Sequence, residues 1–310
     1  MITILKAKSK LSLSNFKGSH YLACPSCGKK RLKLYCYEDG KELHESVGRC
    51  QRESNCGYHL KPAEYFKDKG EKYVNQMEFV KPIPKLIYSL DKTMCERIAS
   101  NFQKSTLLTF LAKTGIDYSP IFERYKVGSS PNGSTVFFQF DGVKFRAGKI
   151  IKYLPDGHRD RSDGIPVMWI HKSMADFNEQ THEIQQCFFG MHLLNKDKIV
   201  CVVESEKTAV ICAGVFPSAV WMATGGRTQL NEYGLTQLSK VKKVLLFPDD
   251  DSIELWSKKT KAFGNCKIVD LSEFNDNKKK GADLADYLLN GSNSIVSGVI
   301  NKVSKLLTTL

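Results

Sequence analysis

From residue 198 onward, short apolar runs alternate with amphipathic stretches of about ten residues. Ile199-Val200-Cys201-Val202-Val203 and Val244-Leu245-Leu246-Phe247 carry no polar residue. That is the pattern of strands buried on both faces of a parallel sheet. The pattern predicts strands at 199–203, 218–223, 243–247 and 266–269. Helices are expected at 206–213, near 228–239 and at 252–262, with final helices at 282–289 and 294–307. Strands alternating with helices in this way indicate βαβ units around a small parallel sheet.

Upstream the periodicity changes. Met94, Ile98, Phe102, Leu107, Leu108 and Leu111 predict an amphipathic helix over 91–113, ending near Gly115. Thr135–Phe140, the turn Asp141-Gly142 and Val143–Arg146 predict a hairpin, and Lys149–Leu154 a second strand closed by Pro155-Asp156-Gly157. Residues 61–90, with Pro62, Pro82 and Pro84, read as a connection with little regular structure. Residues 1–60 read as short strands and turns around cysteine. The chain is therefore expected to be a multidomain α+β protein. Its parts are a zinc-ribbon region at 1–62, a linker at 63–90, a mixed α/β middle domain at 91–196, an α/β domain at 197–291, and a C-terminal helix or tail at 292–310.

The 310 residues carry a formal charge of +13, which favours an anionic partner, most often nucleic acid. No run approaches 18 apolar residues, so a membrane span is not expected. The start, Met1-Ile2-Thr3-Ile4-Leu5-Lys6, lacks the features of a secretory signal. Ten cysteines in this length do not make a disulfide scaffold, and a reduced cytoplasmic setting is expected.

Cysteine is concentrated near the N-terminus. Cys24-Pro25-Ser26-Cys27-Gly28 has zinc-knuckle spacing, and Cys50 and Cys56 complete a four-thiolate set that suits structural zinc. Between the pairs, Arg31–Tyr37 and the turn Glu38-Asp39-Gly40 predict a hairpin, which makes a zinc-ribbon layout. The second pair is spaced C-x5-C, so His59 is an alternative to Cys56, and Cys36 a weaker candidate. Lys29, Lys30, Arg31, Lys33, Arg49 and Arg52 surround the site as candidate phosphate contacts. Tyr21, Tyr35 or Tyr37 are candidates for stacking on unpaired bases.

Two strand ends in the C-terminal region carry acids. Glu204 follows the first apolar run, and Asp249-Asp250-Asp251 follows the third. Ligands of open α/β sheets bind beyond the carboxyl ends of strands. In an extended backbone Asp249 and Asp251 would share one side, with Asp250 on the other. Oxygens from Glu204, Asp249 and Asp251 could then hold magnesium. Glu206 and Asp250 fit a helix-start or strand-end role equally well.

Val202-Val203-Glu204-Ser205-Glu206, Thr224-Gly225-Gly226 and Phe247-Pro248-Asp249-Asp250-Asp251, in this order, resemble the toprim domain of bacterial-type primases, topoisomerases and related nucleases. Lys280-Gly281-Ala282-Asp283-Leu284-Ala285-Asp286-Tyr287-Leu288 is similar to the acidic segment that often follows in primases. A zinc ribbon ahead of toprim narrows the resemblance to bacterial and phage primases. Cys50–His59 and Gly148–Tyr153 resemble segments of primase-like proteins of Bacteroidetes genomes and their mobile elements. Ser205 stands where the family usually has glycine or a small residue, and Pro248 and Ser252-Ile253-Glu254 depart from its usual pattern.

The resemblance implies template-directed primer synthesis on single-stranded DNA from nucleoside triphosphates. It implies Mg2+ or Mn2+ at Glu204, Asp249 and Asp251, with Asp283 as the last acid and Lys207 nearby. Arg146, Lys149 and Lys152 are candidates for contact with template or nucleotide, and a replicative helicase is a candidate partner. A toprim nuclease, a topoisomerase and a non-catalytic, zinc-containing single-strand-binding accessory protein are the alternatives.

Overall fold

The computed structural model describes residues 11–14, 21–70, 84–162, 164–165, 167–271 and 282–308. Residues 1–10 and 71–83 of the expected ribbon and connection lie outside the described residues, as do Lys280 and Gly281 of the acidic segment and residues 309–310. The chain divides into two compact units, Met1–Ile83 and Pro84–Leu310.

In the first unit the strand Lys30–Cys36 is central. It pairs antiparallel with Ser12–Leu13, Leu22–Ala23 and Gly48–Cys50. Its period of two turns Leu32, Leu34 and Cys36 into a small core and leaves Lys30 and Arg31 exposed. The expected turn is present: the Gly40 amide donates to the Tyr37 carbonyl, with Gly40 at φ 84°. Pro62–Asp68, within the stretch expected to be irregular, is instead a helix. Proline fits the first helical turn because its missing N–H would have no partner there, and the Glu64 carboxylate accepts from the Lys61 amide at 3.0 Å.

The second unit holds two four-stranded sheets. One is antiparallel, in the order Val127–Ser129, Thr135–Phe140, Phe145–Ile151, Met168–Trp169. The strand expected at 149–154 is the continuation of the hairpin's second arm, because Phe145–Ile151 runs without a break. Asp141 closes that hairpin by accepting from the Val143 and Lys144 amides at 2.9 and 2.8 Å. The helix expected over 91–113 is broken into Lys92–Ser100 and Thr106–Leu111. Asn101 leaves the helical region, at φ −100° and ψ 47°, and Ser105 caps the new start by accepting from the Leu108 amide.

The other sheet is parallel throughout, in the order Val220–Ala223, Val200–Val203, Val244–Phe247, Cys266–Ile268. This is the small parallel sheet that the apolar runs predicted. Alternate side chains feed two cores. Cys201, Val203, Leu245 and Phe247 join the helix Glu206–Val215, Phe137 and Tyr153. Val200, Val202, Val244 and Leu246 pack instead against Leu235, Leu238 and Trp256. The residues expected to form separate middle and C-terminal domains thus share one core. Phe189 and Ala223 exchange backbone hydrogen bonds at 2.9 and 3.1 Å, and the Trp221 amide donates to the Tyr125 hydroxyl at 3.1 Å.

Candidate active site and zinc centre

The strand order creates a switch point. The chain leaves Val200–Val203 for the neighbour on one side, Val220–Ala223, then crosses to the other side as Val244–Phe247. Helix Glu206–Val215 packs into the first core, and Glu232–Leu238 into the second. Between two strands whose connections depart to opposite faces a crevice opens at the carboxyl ends. Register pairs Val203 with Phe247, so Glu204 and Pro248 leave the sheet at the same level.

Glu204 is only 7% exposed and accepts from the Asp249 amide at 3.2 Å. Burial pushes its carboxyl up, and the Asp251 charge adds to that, while the Ser252 hydroxyl and the Asp249 amide oppose it. Asp249 is pushed up to about 8, first by burial, then by Glu204, Asp283, Asp251 and Asp286. Asp283 is raised too, by burial and by Asp286. It caps the helix Leu284–Asn290 through the Asp286 amide at 2.9 Å and accepts from the Thr208 hydroxyl at 2.6 Å.

The three consecutive aspartates do not alternate as a strand would. Asp250–Ser252 forms a 3-10 turn directly after Asp249, so an extended period of two does not apply. Asp251 stands exposed on the rim, paired with Arg227 at 3.3 Å and accepting from Ser252 Oγ at 3.1 Å. Asp250 Oδ1 is buried without a hydrogen-bond partner. Among the described residues no three carboxylates each bring an oxygen within 4.8 Å of the others. The donor chemistry nevertheless fits a divalent cation. Buried, mutually repelling carboxylates stand past two neighbouring strand ends and at a helix start, and among the described residues no cation pairs with Asp249. Lys207 hydrogen-bonds the Gly157 carbonyl at 3.4 Å and pulls down the Asp283 carboxyl only as a minor effect.

The turn Thr224-Gly225-Gly226 lies beside these acids. The Gly225 amide donates to the Glu204 carbonyl at 2.8 Å, with Gly225 at φ 88°. A Cβ there would sit 2.7 Å from Lys149 Nζ and 3.0 Å from Glu206 Oε1. Gly225→Ala should therefore lower stability by about 1–3 kcal/mol, read as a reduced urea midpoint with an unchanged slope. An unchanged midpoint would show that the turn does not need glycine.

Lys149 was expected at a nucleic-acid surface, but it is buried. Its ammonium is 2.7 Å from Glu206 and also donates to the Gly225 carbonyl. A charge in that position must be paired, so Lys149 is a structural strut for the turn rather than a contact open to template. Arg146 is similarly committed to Asp141 at 2.6 Å, and Lys152 pairs with Asp160 at 2.9 Å. Arg227 and Thr208 carry no signal in the sequence, whereas Asp286 lies in the acidic segment and has the Asp-x-x-Asp spacing of a capping box.

In the first unit the structure gathers Cys24, Cys27, Cys50 and Cys56, with all four sulfurs within 4.8 Å of one another. Cys24–Cys56 and Cys27–Cys50 are each 4.0 Å apart. A tetrahedral site with Zn–S bonds of about 2.3 Å needs sulfurs about 3.8 Å apart. The cluster thus supports structural zinc. The Lys29 amide holds the Cys27 thiol down at about 7, whereas burial pushes Cys50 up to about 12. The wide C-x5-C spacing is taken up by the short helix Glu53–Cys56 and by Gly57 at φ 71°. His59 is not part of the cluster: its ring nitrogens face Tyr35 at 3.1 Å and Glu53 at 3.0 Å. Tyr35 is thereby committed too, and Cys36 belongs to the core. Lys30 and Arg31 are exposed, Arg52 is half-buried, and Arg49 lies 3.7 Å from Glu53.

Residues 9–71 match the zinc beta-ribbon finger family, and residues 103–250 match the domain of unknown function DUF6371. No curated protein matches the chain. Among solved structures, the chain is similar to the primase fragment of the bacteriophage T7 primase-helicase protein at 13% identity and a TM-score of 0.42, covering 91% of this chain and 98% of that one. It is similar to the zinc-binding and RNA polymerase domains of the Aquifex aeolicus primase at 11% identity and a TM-score of 0.45, covering 91% and 78%. It is also similar to the RNA polymerase domain of the Mycobacterium tuberculosis primase at 10% identity and a TM-score of 0.35, covering 69% and 72%.

Proposed function

We propose that this protein is a primase-like nucleotidyltransferase that makes short primers on single-stranded DNA. The observation that carries this reading is the convergence of Glu204, Asp249 and Asp283 at the switch point of the parallel sheet, with Asp249 raised to about 8. Glu204 and Asp249, with Asp283 and the rim residue Asp251, would hold Mg2+ or Mn2+. When bound, such an ion supplies charge stabilisation for phosphoryl oxygens.

The chain's own residues do the remaining work. The Asp249 amide fixes the Glu204 carboxylate, and Thr208 fixes Asp283. The Lys149–Glu206 pair holds the Thr224–Gly226 turn beside them. Arg227 places positive charge at the rim, where a triphosphate would enter. Lys30, Arg31, Arg49 and Arg52 on the ribbon are proposed to contact template phosphates.

Purified protein supplied with ribonucleoside or deoxyribonucleoside triphosphates should synthesise short primers on several unprimed single-stranded templates only when Mg2+ or Mn2+ is present. The absence of product on all templates would refute an autonomous primase. Arg146, Lys149 and Lys152 are all tied up in ion pairs. That observation favours the second reading, a non-catalytic single-strand-binding accessory protein. Salt-sensitive DNA binding without any incorporation would select it.

A further inference from the structure

The amino ends of the same parallel strands form a second charged surface, opposite the acids. Three segments meet there. Asn195–Lys198 leads into Val200–Val203, Lys240–Lys243 into Val244–Phe247, and Gly264–Lys267 into and along Cys266–Ile268. Backbone hydrogen bonds stitch them side by side: the Val200 amide donates to Lys243, and the Val244 amide to Asn265. Asn265 Nδ2 ties the third segment down by donating to the Leu238 and Val241 carbonyls at 2.9 and 2.6 Å.

These segments carry Lys196, Lys198, Lys240, Lys242, Lys243 and Lys267 against a single acid, Asp197. Lys196, Lys198, Lys240, Lys242 and Lys267 are exposed. Asp197 answers only Lys242, at 3.8 Å, with both side chains largely in solvent. Such a pair is too weak to neutralise the surface. An open cleft of about 480 Å³ runs between Lys242, Lys243, Asn265, Cys266 and Lys267.

We propose that this end of the sheet binds the phosphodiester backbone of nucleic acid. Neighbouring strands lie about 4.8 Å apart, so the three lysine-bearing segments span about 10 Å. That reach matches about four successive phosphates of one strand, three intervals at about 3.4 Å of rise each. Lysine presents a point charge to phosphate and reads no base, so the contact is independent of sequence. An acidic protein partner fits less well. Protein interfaces rely on buried aromatic or aliphatic anchors, and the exposed large apolar residues among those described, such as Leu86, Val143 and Ile165, belong to other segments. A basic end placed opposite the acids gives a strand or duplex a hold that does not compete with nucleotide entry.

The test uses the full-length, zinc-loaded protein in magnesium-free buffer, so that its outcome does not depend on the carboxylate site. Binding of a labelled single-stranded oligonucleotide is followed by anisotropy across a salt series. The variant K196Q/K198Q/K242Q/K267Q should bind more weakly, and its slope of log Kd against log salt should fall by about 3, since each phosphate contact contributes about 0.7. An unchanged slope and affinity would overturn the proposal. Acetylation footprinting of the wild-type protein gives a reading that needs no variant. Protection of these lysines by the oligonucleotide supports the proposal. Protection by an acidic peptide but not by the oligonucleotide overturns it in favour of a protein partner.

Discussion

Asp249→Asn is expected to reduce Mg2+-dependent nucleotide incorporation by about a thousandfold or more while making the magnesium-free protein more stable at neutral pH. The two effects have one cause. Asp249 is buried beside Glu204, and its carboxyl is pushed up to about 8. An unfolded aspartate titrates near 3.9. Between about pH 4 and about pH 8 the folded state therefore holds a proton that the unfolded chain has released. The contribution of this group to stability must then fall as pH rises through that window. Asparagine carries no such proton, so the variant loses this part of the slope. Urea denaturation at several values between pH 5 and 8.5, with zinc retained and magnesium omitted, would show it. Adding Mg2+ should raise the melting temperature of the wild type, increasingly so toward pH 8, and leave that of the variant unmoved. A variant that keeps its activity, or whose pH slope equals that of the wild type, would remove Asp249 from the metal site. The same substitution in a merely structural aspartate would lower activity and stability together, and this distinguishes the two roles.

The parallel sheet was legible because its strands are buried on both faces, which leaves runs such as Val200–Val203 with no polar residue. The acids were legible for a related reason: a carboxylate directly after such a run has to leave the sheet at its end. What could not be read was local backbone geometry and charge pairing. Asp249–Asp251 looked like an extended tripeptide, but Pro248 ends the ladder and the chain closes into a 3-10 turn, which sends Asp251 to the rim. Lys149 reads as a template contact because the primase resemblance implies a basic surface ahead of the acids. Its partner, Glu206, lies far along the chain, and spacing carries no information on that contact. Pro62, Pro82 and Pro84 read as breakers in the sequence, whereas Pro62 starts a helix.

Stripping zinc from the ribbon should unfold residues 11–70 while the unit 84–310 keeps its cooperative melt. The packed core of the first unit is Cys24, Leu32, Leu34, Cys36 and Cys50, with Cys27, Cys56 and Tyr58 partly covered, and Leu11 and Val47 are further buried hydrophobics. Two of its three buried cysteines belong to the cluster itself, so few apolar side chains are left to hold the strands together. Structural zinc supplies about 10–16 kcal/mol in small domains of this kind. Without it, thiolates whose sulfurs lie within 4.8 Å would repel one another as they ionise. Hydrogen exchange is the suitable measurement. On chelation, protection of the amides in Lys30–Cys36 should collapse, whereas that in Val200–Val203 and Val244–Phe247 should persist. Cys50→Ala and Cys56→Ala should lose the bound zinc. His59→Ala should keep it, because that ring is held by Tyr35 and Glu53 outside the cluster, and Cys36→Ala should keep it at some cost in packing. Zinc retained in Cys56→Ala but lost in His59→Ala would assign the fourth ligand to the histidine and refute the four-cysteine site.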